Sequence, residues 1–411
     1  MYRLKCQVME YDWGRVGHDS LAAQFAKHGS GFEVDEEKPY AELWMGSYHS
    51  CPSIVIQTGE TLDKILTPET MGHKIYEKYG NQLPFLFKVL SINKVLSLQA
   101  HPDKTLAKEL HANDPENYKD DNHKPEMALA LTQFQGLCGF RQGEQIVSFL
   151  KNIPPLREFV GEEAAVEFEN EYKKNEKDAL RKLFNVLMNN DNDKLEKYAP
   201  KLVQFAKDTD QDFGGKSFGG HDLSALILRL NSQYPNDIGL FITLILNHVN
   251  LQPGESIFLR ALDPHAYIAG NIIECMASSD NVIRSGFTSK FKDKGTLIKN
   301  LTYETGTADE QLTRPVPFPK AHGSGKTVVY KPPIEEFNIL QTTLAPEQSQ
   351  TIRDIHGPSI LIVVEGNGLL KGENGDVASI SPGFVFFISA NYPLTVSSSC
   401  KNLVVYQAYC E

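Results

Sequence analysis

The sequence predicts a mainly β protein with an α-helical insertion, built on a β-sandwich that occurs twice. Three observations predict it. Strand-like alternation dominates between Ile54 and His101. From roughly 141 to 250 that alternation gives way to charged segments with helical spacing. Pro253-Gly254-Glu255 and Ser381-Pro382-Gly383 are both turn-then-strand entries, set about one domain apart.

Taken in order, Pro52 to Glu60 and Leu83 to His101 read as strands, the second split by Asn93-Lys94 into two short apolar runs. Strand side chains alternate, so Ser97, Gln99 and His101 share one face. Asp103 to His111 reads as a short helix behind Pro102, with Leu106 and Leu110 on its apolar side. In the insertion, Leu180, Leu183, Phe184 and Leu187 keep helical spacing, and Leu202 and Phe205 continue it. The turn-rich stretch Asp208 to Gly220 interrupts these helices, and Gln233 to Asn247 reads as a capped, largely buried helix. Strands resume at Pro253. Arg314-Pro-Val-Pro-Phe-Pro and Ala321-His-Gly-Ser-Gly form a linker, and from Tyr330 short strands alternate with turns.

A chain of 411 residues holds two or three domains, and 41% hydrophobic with 23% charged residues is ordinary for a globular protein. The net charge of −11, without a block of Lys/Arg, argues against nucleic-acid binding but leaves room for a small anionic substrate. The opening Met1-Tyr-Arg-Leu-Lys-Cys has no long apolar run behind it, and no eighteen consecutive apolar residues occur, so a cytoplasmic protein without membrane contact is expected. Cys6, Cys51, Cys138, Cys275, Cys400 and Cys410 lack CxxC spacing and read as reduced thiols. Gly323-Ser-Gly-Lys-Thr327 fails as a phosphate loop because Lys320 stands where its first glycine belongs.

Tyr118-Lys-Asp-Asp-Asn-His-Lys-Pro-Glu126 crowds three acids, a histidine and two lysines into nine residues. So much charge suits a site better than a core. With Gln99 and His101 upstream and His265 downstream, Glu126 completes an N2O2 set suited to one borderline divalent metal. A lone strand histidine is more often a satisfied polar residue than a ligand, and glutamine is an uncommon zinc ligand. Spacing alone leaves the metal and the non-metal readings level. The stretch from His265 to Lys290 adds the acids Glu274 and Asp280 and the cations Arg284 and Lys290; a solvated loop with internal ion pairs explains any one of them equally well.

Tyr118-x-Asp120-x-Asn122-His123-Lys124-Pro125-Glu126 and His265-Ala-Tyr-x-x-Gly-x-x-Ile-Glu274-x-Met-Ala-x-Ser-Asp-Asn-x-Ile-Arg284 strongly resemble the two signatures of the type I mannose-6-phosphate isomerases. Tyr11-Asp-Trp13-Gly and Tyr40-Ala-Glu42-Leu-Trp44-Met-Gly resemble N-terminal landmarks of the same family, and the likeness spans essentially the whole chain. Ser285 and Ser289 depart from it, standing where alanine and proline are usual.

The resemblance implies two cupin-type β-barrels or jelly rolls plus an inserted helical domain. Residues 1–140 and 251–324 would form the catalytic cupin, 141–250 the insertion and 325–411 a C-terminal cupin-like unit. It implies one zinc ion per chain on Gln99, His101, Glu126 and His265. Lys124, Glu274, Asp280, Arg284 and Lys290 would be catalytic, Ser97 and Lys88 would face the substrate phosphate, and Tyr267 and Trp13 would contact substrate. The implied reaction interconverts mannose 6-phosphate and fructose 6-phosphate through a cis-enediol, in a cytoplasmic monomer that feeds GDP-mannose synthesis. Glu274 is the first candidate base, with Asp280, Lys124 and His123 as rivals that sequence cannot rank. An Fe(II) cupin dioxygenase or a noncatalytic sugar-phosphate binder are the alternatives; the first would favour a 2-His-1-carboxylate triad, and the second would lack Glu274, Asp280 and Arg284. The C-terminal unit, with His356 as its one histidine, should hold no metal and be filled by Ile360, Ile362, Phe384 and Phe386.

Overall fold

The computed structural model describes residues 1–399 and 401–411; Cys400, one of the thiols expected to stay reduced, lies outside them. Eleven strands form one sheet and eight another, with a five-stranded sheet and a two-stranded ribbon beside them. The expected barrels are open sandwiches: among the described residues no sheet closes on itself, and the eleven-stranded sheet keeps edges at Gln7–Met9 and Leu246–Leu251.

The strand His265–Ala277 is the spine of the eleven-stranded sheet. Its first half pairs with Phe134–Arg141 and meets Gln99 at His265; its second half lies between Phe85–Ile92 and Glu126–Ala130. The change of neighbours occurs at Gly270, whose φ is +122° and where a Cβ would lie 2.6 Å from the Gln133 carbonyl oxygen. Only glycine fits both conditions.

The strand Phe85–Ile92 is buried at every position, which is why it reads as a continuous apolar run. Phe85, Phe87 and Val89 pack toward the C-terminal unit, in one core with Ile360, Ile362 and Phe387. Lys88, on the alternate face, points into the cleft described below.

Helices fill most of 143–243. Leu180, Leu183, Phe184 and Leu187 are buried in the helix Glu176–Asn189, and Leu202 in the helix Asn192–Thr209, as their spacing predicts. Asn175 and Asp191 cap these two helices by accepting from the Asp178 and Lys194 amides. Each fully buried Leu or Phe contributes about 1.5–3 kcal/mol of transfer free energy. This core is continuous with Leu98 and Ile283 of the sheet, so the helices brace the wall that carries Gln99 and Arg284.

The helix expected over 233–247 is corrected. Only Gly239–Thr243 is helical, and Leu246–Leu251 is a strand paired with Phe134–Arg141. Every residue from Leu240 to Asn247 is buried, and a segment apolar on all sides carries no period to tell helix from strand. The helix behind Pro102 forms as expected, over Lys104–Asn113, with Asp103 as its cap.

In the C-terminal unit the expected filling is split between two faces. Leu361, Val363 and Phe386 pack with Leu370 and Val396 inside the unit, with Phe384 half-buried against them. Ile360 and Ile362 point the other way, into the core shared with the catalytic sheet. The register explains it: Ile360 pairs with Phe387 and Leu361 with Phe386, so Ile360 and Phe386 cannot share a face. The strand Tyr2–Lys5 joins this sheet, pairing Leu4 with Val385.

Candidate active site

Antiparallel pairing assembles the centre. Gln99 lies opposite His265 on one side and Arg284 on the other, while Glu126 pairs with Met276 on the spine. Donor atoms of His101, Glu126 and His265 all fall within 4.8 Å of one another, and the three residues are buried. His101 Nε2 is 3.3 Å from Glu126 Oε1, and His265 Nε2 is 3.5 Å from Oε2.

The outer nitrogens fix the tautomers. Nδ1 of His101 lies 2.8 Å from the Asn281 carbonyl oxygen and Nδ1 of His265 lies 3.0 Å from that of Asp263. A carbonyl only accepts, so each Nδ1 carries a hydrogen, and in the neutral ring that leaves Nε2 to present a lone pair. Burial, only partly offset by Glu126, lowers the His101 pKa to about 4 and keeps the ring neutral. His265 Nε2 is buried without a hydrogen-bond partner. Two lone pairs aimed at a carboxylate repel one another unless a cation lies between them, so this donor set fits a divalent ion.

Gln99 borders the same space: its Nε2 is 3.4 Å from His101 Nε2, and its Oε1 accepts from Ser97 Oγ at 2.7 Å. Above it opens a cleft of about 630 Å³, whose walls include Trp13, Lys88, Ser97, Gln99, Lys124, Asp280, Arg284 and Lys290. Lys124 reaches down to Glu126 at 3.4 Å. Arg284 and Lys290 have no ion pair among the described residues, and burial lowers the Arg284 pKa. Asp280 and Lys290 sit exposed at the rim.

Two expected substrate contacts are otherwise engaged. Lys88 is wedged between Glu42 at 3.3 Å and Glu274 at 3.2 Å, with its ammonium 4.9 Å above the Trp44 ring. Its charge is thus already balanced, which does not suit a free phosphate clamp. Tyr267 is buried behind the centre, its hydroxyl 3.5 Å from Glu126 Oε2, and does not line the cleft. Glu274 is buried beside Lys88; burial, against the pull of that lysine, raises its pKa to about 6.

The rival base His123 is turned away from the cleft, with Nε2 2.7 Å from the buried Glu336. Ser285 is buried and donates to the Leu98 carbonyl at 3.1 Å, while Ser289 is exposed on the rim. Sequence reasoning left three contributors unassigned. Glu42 and Trp44 carry an alternation on one strand that would have placed them beside Lys88. Asn281 acts through its backbone carbonyl, which no side-chain pattern announces.

Comparison with known proteins bears on this geometry. The chain matches the catalytic domain of type I phosphomannose isomerase over residues 1–143, the helical insertion domain of that family over 159–246, and its C-terminal domain over 327–372. It is 64% identical to a mannose-6-phosphate isomerase of Schizosaccharomyces pombe, covering 100% of both chains. It is 46% identical to the same enzyme of Saccharomyces cerevisiae, over 100% of this chain and 99% of the relative. The fold superposes on a crystal structure of mannose 6-phosphate isomerase bound with zinc and yttrium with a TM-score of 0.83, at 29% identity over 100% of this chain and 99% of that one. The apo form from Salmonella typhimurium gives a TM-score of 0.82 at 29% identity, with the same coverage.

Proposed function

The chain belongs to the type I phosphomannose isomerase family, and from that premise we propose that it interconverts mannose 6-phosphate and fructose 6-phosphate with one zinc ion on His101, Glu126, His265 and Gln99. The observation that carries this reading is the pair of buried imidazoles aimed at a buried carboxylate beneath a cleft holding two unpaired cations. Zinc bound there supplies positive charge for the sugar oxygens.

In this reading the phosphate enters the cleft toward Lys290 at the rim, whose charge is free, and Lys88 serves Glu274 instead. Ring opening exposes an aldose whose C2 proton must move to C1. Glu274, which lies behind Lys88 and does not itself line the cleft, takes the proton from C2 in this reading, giving a cis-enediol, and returns it to C1 to give the ketose. A carboxyl near pH 6 both accepts and releases a proton readily at neutral pH. Arg284, preorganised and unpaired, stabilises negative charge developing on the enediol oxygens. Lys124 holds Glu126 ionised, and Asp280 and Trp13 order the rim. Ser97 fixes Gln99 through its hydroxyl.

We place the reaction in the cytoplasm of a monomeric enzyme, supplying mannose 6-phosphate toward GDP-mannose; among the described residues no helix is long and apolar enough to cross a membrane. Elemental analysis together with a mannose-6-phosphate assay tests the reading. One zinc per active chain, with activity lost on chelation and regained with zinc, is the expected result. Full activity in metal-free protein would overturn it.

A further inference from the structure

A second cavity, of about 360 Å³, lies outside the machinery above, between the helix His221–Gln233 and the strands Phe134–Arg141 and Leu246–Leu251. Arg229 and His248 line it, together with Gln133, Gln135, Asn250 and Asp222. Arg229 donates through Nη2 to Gln135 Oε1, and its Nε is buried without a partner. Gln135 passes the chain on, donating to Asn250 Oδ1 at 3.0 Å. His248 Nε2 is buried and unpartnered as well.

Behind His248 stands a second guanidinium. Arg141 is buried, bonded only to Gln145 Oε1 at 3.2 Å, with its Nε unpartnered. Burial alone lowers the pKa of both arginines, with no acid near enough to raise either. Burial first, then these two charges, against the opposing pull of Asp222, push the His248 imidazole down to about 4, so the ring is neutral and one of its nitrogens is a donor. Arg141 is buried and Arg229 half-buried, and neither makes an ion pair among the described residues, an arrangement that is costly for the buried one. An arginine inside a protein normally meets a carboxylate; here Asp222, the acid in the cavity lining, makes no ion pair with either guanidinium.

We propose that this cavity is a second anion site, separate from the isomerase cleft, that takes a small phosphomonoester. The guanidinium fork of Arg229 and the imidazole of His248 match phosphate oxygens. The side-chain amides of Gln133 and Asn250 and the carboxylate of Asp222 suit hydroxyl groups on the same ligand. The site borders the catalytic sheet, since His248 pairs with Leu137 and Leu137 with Ala266, the neighbour of His265.

Inorganic phosphate is the probe, titrated calorimetrically into the full chain in an Arg284→Ala background, where the cleft has lost its own unpaired guanidinium. One phosphate per chain is expected, weakened at least about tenfold when Arg229→Gln is added. Arg229→Gln alone is expected to leave kcat in phosphate-free buffer unchanged, because Arg229 touches nothing in the cleft. Equal affinity with and without Arg229, or no binding in the Arg284→Ala protein, overturns the proposal. Should Arg229→Gln fail to fold, crystals of the unaltered protein soaked in phosphate decide: density between Arg229 and His248 supports the site, and an empty cavity overturns it.

Discussion

Glu336 accepts a hydrogen bond from His123 across 2.7 Å, and the same carboxylate oxygen lies 3.1 Å from the Lys104 ammonium. The C-terminal unit thereby grips the loop that ends in Lys124 and Glu126. Although burial works against ionisation, His123 and Lys104 hold the Glu336 pKa at about 2.

Replacing Glu336 should therefore loosen the loop. Glu336→Ala leaves the His123 ring and the Lys104 ammonium without their acceptor, and a loss of about 1–3 kcal/mol is expected from urea unfolding. Glu336→Gln, which can still accept from His123, should lose less. Equal midpoints for both variants and the unaltered protein would show that the contact is idle.

The depressed Glu336 pKa sets a pH window. Its folded value of about 2 lies below the ordinary carboxylate value of 4.5, so its stabilisation is complete above the higher value and is lost as pH falls toward the lower. Acid titration of Glu336→Gln should show a shallower decline of stability over that range than the unaltered chain; superimposable curves count against the assignment.

Loss of a ligand imidazole should remove metal and rate together. His101→Ala and His265→Ala are expected to bind zinc at least about tenfold more weakly, with kcat down ~10²-fold or more. Arg284→Ala separates the roles: kcat should fall ~10²-fold with zinc content intact. Zinc lost from Arg284→Ala, or kcat within about a factor of two of the unaltered enzyme, would remove Arg284 from its proposed role.

The base is tested by pH. Glu274 must be ionised to accept the C2 proton, and its pKa is raised to about 6, so kcat should fall roughly tenfold per pH unit below that point. Glu274→Gln should abolish the limb along with most of the activity. A profile flat down to pH 5, about one unit lower, would assign the proton transfer elsewhere.

In the C-terminal unit, His356 faces Asn391 at 2.7 Å on the surface. His356→Ala is expected to leave zinc stoichiometry and kcat unchanged, measured side by side with the unaltered chain.

Much of this was legible in the residues. Leu180, Leu183, Phe184 and Leu187 announce their helix because one face alone is apolar. The clustering of His101, Glu126 and His265 followed from motifs, since a family's signature preserves donors that chain distance scatters. What stayed hidden depends on pairing between distant strands. Lys88 is indistinguishable in sequence from a phosphate-binding lysine, and only the register that sets it opposite Glu274 and Trp44 shows its charge balanced. The face of Ile360 was equally invisible, because both sides of its strand are buried and alternation then has nothing to contrast.

The pairing of Tyr2–Lys5 with Val385–Ile388 has a consequence for the order of assembly. On the ribosome the strand Tyr2–Lys5 has to wait for partners far downstream, so the eight-stranded sheet cannot be completed before Val385–Ile388 have emerged. Until then the apolar flank of Phe85, Phe87 and Val89 has no cover from Ile360 and Ile362. The nascent chain thus carries an uncovered apolar surface until Ile360 and Ile362 are made, and chaperone dependence should track the arrival of these strands.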